Sequence, residues 1–172
     1  MIALNVQDVK DFMARLLISE EFDSFWLCEA SITTFSTFQI DGTLRPEFFD
    51  TEEAEALTKS GRTHCLWQEV KPYCFSIIKG KKTPLSFKIV FQLSRQASEQ
   101  LLLKNASSWS INDIYGLYLN LQYDGTSLIC TTGTSMKLFS MDKSLDLLWD
   151  EAVITFFKKA PDCHAFCLKH GI

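Results

Sequence analysis

The stretch from Leu117 to Phe139 limits the fold more than any other part of this chain. Leu117, Leu119, Leu121 and Tyr123 alternate with Tyr118, Asn120 and Gln122, so one side of an extended segment is apolar and the other polar. Asp124-Gly125 follows, a strong signal for a tight hairpin turn, and Leu128 to Phe139 reads as the returning strand. Gly133 within that strand suggests a bulge. A hairpin of this kind belongs to an antiparallel sheet with one face in the core and the other in water. Phe87, Ile89, Phe91 and Leu93 alternate with Lys88, Val90 and Gln92 and predict another such strand.

The helices show single apolar stripes. Val9, Phe12, Met13, Leu16 and Leu17 fall three and four apart, with Asp8 and Asp11 in the first turns, where acids favour the helix dipole. Residues 95–104 also read as a helix, and Ser110 with Asp113 resembles a capping box. Leu145, Leu148, Trp149, Ala152, Val153 and Phe156 give the stripe of a last helix that starts at Asp142 and ends at Pro161. Leu66, Val70, Tyr73, Cys74 and Ile77 are helically spaced, but Pro72 predicts a start near Lys71 or a kink, and Gly80 reads as the stop. Thr51-Glu52-Glu53 opens a short helix. Residues 22–40 read as extended: Phe22, Trp26, Cys28, Ala30, Ile32, Phe38 and Ile40 share one parity, a reversal falls between Ala30 and Thr34, and Asp41-Gly42 marks a turn.

A helix with one stripe needs an apolar sheet face to cover. The expected fold is therefore α+β: a mostly antiparallel twisted sheet covered by three or four helices. One domain is expected over residues 1–160, with a C-terminal tail over 161–172. A chain of 172 residues should bury about 20,000 Å² on folding, enough for a core without staples. Ile2–Val6, the first helix and the 22–40 strands give the order strand, helix, strand, strand. That order recurs from Phe87, so residues 1–42 and 85–142 form a repeat of pattern rather than of residue identity.

Charge is unevenly spread. Residues 1–60 hold 4 basic and 12 acidic side chains, residues 61–104 hold 8 and 2, and residues 105–172 hold 5 and 7. Such segregation predicts either complementarity within the fold or a surface for an anionic partner. The first reading is the expected one, because folds interleave such segments in space. The six cysteines, Cys28, Cys65, Cys74, Cys130, Cys163 and Cys167, are read as free thiols. The opening residues show no charged and then apolar leader pattern, so a reduced cytoplasmic setting is expected. No apolar run approaches 18 residues, and no membrane partner is expected.

Chemistry-bearing residues are sparse. Lys79, Lys81 and Lys82 surround Gly80, and Lys88 follows; together they are the candidate site for an anion or a nucleic acid. The competing reading is a solvated loop that keeps an edge soluble. Cys163, Cys167 and His170 are spaced as ligands on one face of a helical turn and are the weak candidates for a metal, although a structural zinc needs a fourth ligand. His64-Cys65 is considered as a base and nucleophile, Glu29 and Asp23 as carboxylates able to act as an acid, and Thr131-Thr132-Gly133-Thr134-Ser135 as a hydroxyl-rich strand. No phosphate-binding loop, dinucleotide fingerprint, metalloprotease motif or serine elbow is present. No catalytic residue and no cofactor is assigned.

Several segments, Asp8-Val9-Lys10-Asp11-Phe12-Met13, Phe22-Asp23-Ser24-Phe25, Phe38-Gln39-Ile40-Asp41-Gly42, Ile78-Lys79-Gly80-Lys81-Lys82-Thr83-Pro84-Leu85, Phe87-Lys88-Ile89-Val90-Phe91 and Thr131-Thr132-Gly133-Thr134-Ser135, resemble an uncharacterised domain-of-unknown-function family of Firmicutes proteins. The likeness runs over roughly residues 1–158. It implies a bacterial cytoplasmic setting and a single domain, and carries over no site. The doubled strand–helix–strands order also resembles half of a DNA sliding clamp, a likeness of topology alone. The expectation is a non-catalytic binding or interaction protein with an unknown protein partner or self-association. The alternatives are a sliding-clamp-like nucleic-acid accessory and an enzyme of unknown reaction.

Overall fold

The structure is a computed structural model and describes residues 1–159 and 166–169, the last four as backbone only. The strands are β1 (Ala3–Val6), β2 (Trp26–Thr33), β3 (Thr37–Asp41), β4 (Ser86–Gln92), β5 (Ile114–Tyr123), β6 (Leu128–Met136) and β7 (Phe166–Lys169). The helices are α1 (Val9–Leu17), α2 (Thr51–Ser60), α3 (Trp67–Ile78), α4 (Arg95–Lys104) and α5 (Ser144–Lys158). The strands make one seven-stranded sheet in the order β3-β2-β4-β5-β6-β1-β7, antiparallel at every step. The fold is α+β, as the one-sided strands required.

The sheet is apolar on one face only. Ala30, Ile32, Phe87, Ile89, Phe91, Leu117, Leu119, Leu121, Leu128 and Cys130 are buried with Leu4 and Val6 in one core cluster. The buried residues of α1, α3, α4 and α5 join the same cluster, so these helices cover one face and leave the other to solvent. α2 has no buried residue and stands apart. At the centre of the core lies Phe22, in the turn between α1 and β2 and fully buried. Its ring meets Phe12 at 5.7 Å, Phe91 at 5.9 Å, Phe156 at 5.4 Å and Phe157 at 6.3 Å. Trp67 stacks edge-on to Phe91 at 5.0 Å and donates its indole N–H to the Leu16 carbonyl at 2.8 Å. Phe22 lies in a turn and not in the extended segment expected over 22–40; the ring cluster around it, not strand alternation, buries it.

Several boundaries depart from the sequence expectation for physical reasons. Cys28 is an extra residue in β2, where the register slips between Leu27 and Glu29 opposite β4. The bulge puts both Leu27 and Ala30 in the core, so the single parity expected over 22–40 breaks there. Asp41-Gly42 is no reversal. Gly42 is wedged against β2, its N–H donating to the Cys28 carbonyl at 3.0 Å and its own carbonyl accepting from Cys65 N–H at 2.8 Å. α3 continues through Pro72, which sits on the exposed side of the helix together with Gln68, the residue whose carbonyl it leaves without a helical donor. The helix ends at Lys79 in extended backbone, not at a left-handed Gly80. The bulge expected at Gly133 lies instead on the partner strand, between Ile114 and Gly116. β6 stops at Met136, and Leu138 and Phe139 are exposed in the following loop. The order strand, helix, strand, strand does occur twice, but the pairing differs: β4 pairs with β5, whereas β1 pairs with β6 and β7.

α5 is fastened to the sheet by polar groups as well as rings. The Thr132 hydroxyl donates to the buried Asp150 carboxylate at 2.5 Å, and the Thr134 hydroxyl donates to Asp146 one helical turn away. Asp150 also receives the Met1 ammonium at 2.8 Å. A buried carboxylate is tolerable only with such partners.

A Cβ built on Gly42 would lie 1.7 Å from the Leu27 carbonyl oxygen, whereas one on Gly80 would meet nothing within 4 Å. Gly42→Ala should therefore destabilise by about 3 kcal/mol in urea unfolding, and Gly80→Ala by no more than about 0.5 kcal/mol. Equal effects at the two positions would contradict this packing.

Candidate functional site

The helix layer is not closed. α4 lies over β5 and α5 over β6, and the two helices border a cavity of about 460 Å³ rather than packing on each other. Its lining has a clear division. Leu93, Ala97, Leu101, Leu148, Ala152 and Phe156 are half-buried apolar side chains, with Phe25, Leu119 and Trp149 beneath them. Gln100, Lys104, Asn105, Glu151, Thr155 and Lys159 form a polar rim. The cause is local. Ala97 and Ala152 are too short to bridge the gap, while Leu102 and Ser98 tie α4 to the sheet and Trp149 ties α5, donating its indole N–H to the Tyr118 carbonyl at 2.8 Å. Neither Lys104 nor Lys159 makes an ion pair among the described residues. A hollow of this make-up can hold a molecule with an apolar body and a charged head.

A second, shallower hollow of about 410 Å³ lies on the open face of the sheet. Gly133 forms its bare floor, and Cys28, Glu29, Lys88, Val90, Tyr118, Asn120 and Thr134 surround it. Lys88 reaches Glu29 at 2.5 Å, and both side chains are about half exposed, 53% and 52%. Cys28 points its thiol at the Gln92 side-chain oxygen at 3.6 Å.

The residues singled out in the sequence are scattered. Lys79, Lys81 and Lys82 are exposed in the loop after α3; Lys79 lies 5.7 Å from the Phe75 ring centre, and among the described residues none of the three makes an ion pair. Lys88 is engaged on Glu29. Asp23 is bound to Lys71 at 2.5 Å. The acidic opening segment and the basic middle thus meet at two places, Lys71 with Asp23 and Lys88 with Glu29, while the loop lysines stay outside that complementarity. His64 does not serve Cys65. Its ring stacks on Trp26 at 6.0 Å and its Nδ1 bonds the Thr63 hydroxyl at 2.8 Å. Burial pushes the imidazole below its ordinary pKa against the pull of Asp41. The Cys163 and His170 candidates lie outside the described residues, as does the Cys167 side chain; the backbone around Cys167 is strand β7, not the helical turn their spacing suggested. Among the described residues no cluster of three or more His, Cys, Asp or Glu is placed to hold a metal ion. No helix among them is long and apolar enough to cross a membrane.

The α4–α5 groove was not found from the sequence. Its lining comes from four separated stretches, and Ala97 and Ala152 read simply as helix positions. The chain belongs to a family of unknown function (DUF5721), which matches residues 15–161. No curated protein and no solved structure matches it.

The cysteines that are described are free thiols in poor surroundings for nucleophilic chemistry. Burial, then the charges of Glu29 and Cys65, pushes Cys28 up to about 11. Burial carries Cys74 up to about 12 and also raises Cys65 and Cys130. At pH 8 the Cys28 thiolate fraction should thus be roughly 100-fold below that of a free cysteine. In a Cys163→Ser, Cys167→Ser variant, Cys28 of the native protein should react with a disulfide reagent about 100-fold more slowly than in the unfolded chain, as read by peptide mapping of the modified thiols. Modification of Cys28 at the unfolded rate would contradict the burial described.

Proposed function

We propose that this chain is a non-catalytic binding protein that receives a small amphipathic anion in the groove between α4 and α5. The observation that carries the reading is the groove's division into an apolar interior and a polar rim with two ammonium groups, Lys104 and Lys159, against one carboxylate, Glu151. Its volume of about 460 Å³ falls inside the range of roughly 300–1,000 Å³ usual for small-ligand sites. An aliphatic or aromatic body would displace water from Leu101, Leu148 and Phe156, and an anionic head would stay at the wet rim near the lysines.

The other two readings have less behind them. An enzyme would draw on the hollow beside Glu29 and Thr134, yet Glu29 is half exposed and paired to Lys88. A nucleic-acid accessory would draw on Lys79, Lys81 and Lys82, which lack ion-pair partners among the described residues, but Lys88, the fourth lysine of that reading, is engaged on Glu29.

Trp149 lines the groove and reports on it. Titration with dodecanoate should change its fluorescence saturably, and decyltrimethylammonium should bind at least tenfold more weakly. Ala152→Phe, which fills the groove from α5, should weaken dodecanoate at least tenfold without altering the thermal transition. Absence of saturable binding, or an unchanged affinity in Ala152→Phe, would remove the proposal.

A further inference from the structure

β3 is an edge of the sheet that no described residue covers, and its own sequence describes its occupant. β3 pairs with β2 in the register Ala30 to Ile40 and Ile32 to Phe38. The Gly42 N–H donates to the Cys28 carbonyl at 3.0 Å and Thr34 N–H to the Ser36 carbonyl at 2.9 Å. In an antiparallel ladder hydrogen-bonding residues alternate, so Phe38 and Ile40 turn their backbone groups toward β2. Thr37, Gln39 and Asp41 turn theirs outward, and among the described residues no backbone group bonds them on that side. Natural edges are blunted by lysine, proline or a bulge. β3 reads Thr-Phe-Gln-Ile-Asp and has none of these; its one charge, Asp41, is taken up by Arg45 at 2.9 Å.

We propose that two copies of this chain join antiparallel through β3 about a twofold axis at Gln39. That register is the one in which the outward groups of Thr37, Gln39 and Asp41 all face outward groups of the second copy. It also matches the side chains. Phe38 falls opposite Ile40 of the second copy, on the face that carries Ala30 and Ile32, and so continues the apolar layer across the junction. On the other face Thr37, whose hydroxyl bonds Thr33 at 3.0 Å, falls opposite Asp41, whose carboxylate accepts from Thr43 N–H and Arg45, and the Gln39 amide falls opposite its own copy. A strand that complements itself at every position favours a second copy over an unrelated peptide. Phe35, 93% exposed and edge-on to Phe38 at 5.6 Å, stands at the end of this edge and extends the apolar area that pairing would cover.

The pairing puts residue 39 opposite itself, which gives a sharp test by sedimentation equilibrium of the full chain up to 200 µM. The wild type should approach twice the 19.7 kDa monomer mass. Gln39→Lys and Gln39→Glu, each placing like charges face to face, should weaken association at least tenfold, and a one-to-one mixture of the two should restore it. Circular dichroism of each variant should match the wild type, because the Gln39 backbone makes no hydrogen bond to β2. A wild type that stays monomeric at 200 µM, single variants that dimerise as well as the wild type, or a mixture no better than either variant would overturn the proposal. Dodecanoate binding in the α4–α5 groove is unaffected by any of these outcomes.

Discussion

One apolar sheet face, and the aromatic cluster that fills the space above it, governs the rest of this structure. Phe22 is its hub, although it lies in a turn and belongs to no helix or strand. Its ring connects α1 through Phe12, the sheet through Phe91, and α5 through Phe156 and Phe157. Aromatic pairs at these spacings add directional attraction to the burial of large rings. The Arg15–Glu21 ion pair at 2.6 Å and the Ser19 hydroxyl bonded to the Arg15 carbonyl shape the turn that delivers Phe22. With α5 fixed at one end by these rings and along its length by Thr132 and Thr134, its distance from α4 follows. The groove is what remains between two helices that each answer to the sheet rather than to each other.

The bare face obeys the complementary rule. Lys88, Asn120, Gln122 and Thr131 keep it polar, and no helix needs to cover it. Gly116 serves close packing there: a Cβ on it would come within 2.9 Å of the Tyr118 ring. Edge, open face and groove are therefore three different surfaces, and both the groove and the β3 edge carry apolar side chains that folding leaves half covered.

What the sequence made legible was what local chemistry decides. The bounds of α1 and α4 follow from their stripes and caps. The Asp124-Gly125 hairpin follows from its turn residues: Asp124 accepts the N–H groups of Thr126 and Ser127, and these bonds hold its carboxyl below the usual range. What stayed hidden depends on contacts distant in the chain. Gly42 looks like a turn glycine until β2 is laid against it, and the Cys28 bulge has no signature of its own. Pro72 is tolerated because α3 exposes that side to water. β1 was legible as a strand, but nothing in Ala3–Val6 says that it pairs with β6 rather than β2. The groove was least visible, because two alanines at helix positions read as core until the helices are placed.

The hub is tested most directly by urea unfolding of Phe22→Ala beside Phe35→Ala. A fully buried ring that bridges two helices and the sheet should cost about 3–5 kcal/mol when truncated. The exposed ring at position 35 should cost no more than about 0.5 kcal/mol. A Phe22→Ala loss below about 1 kcal/mol would mean that the helix layer is held to the sheet by something other than this cluster, and the account of the groove would lose its basis.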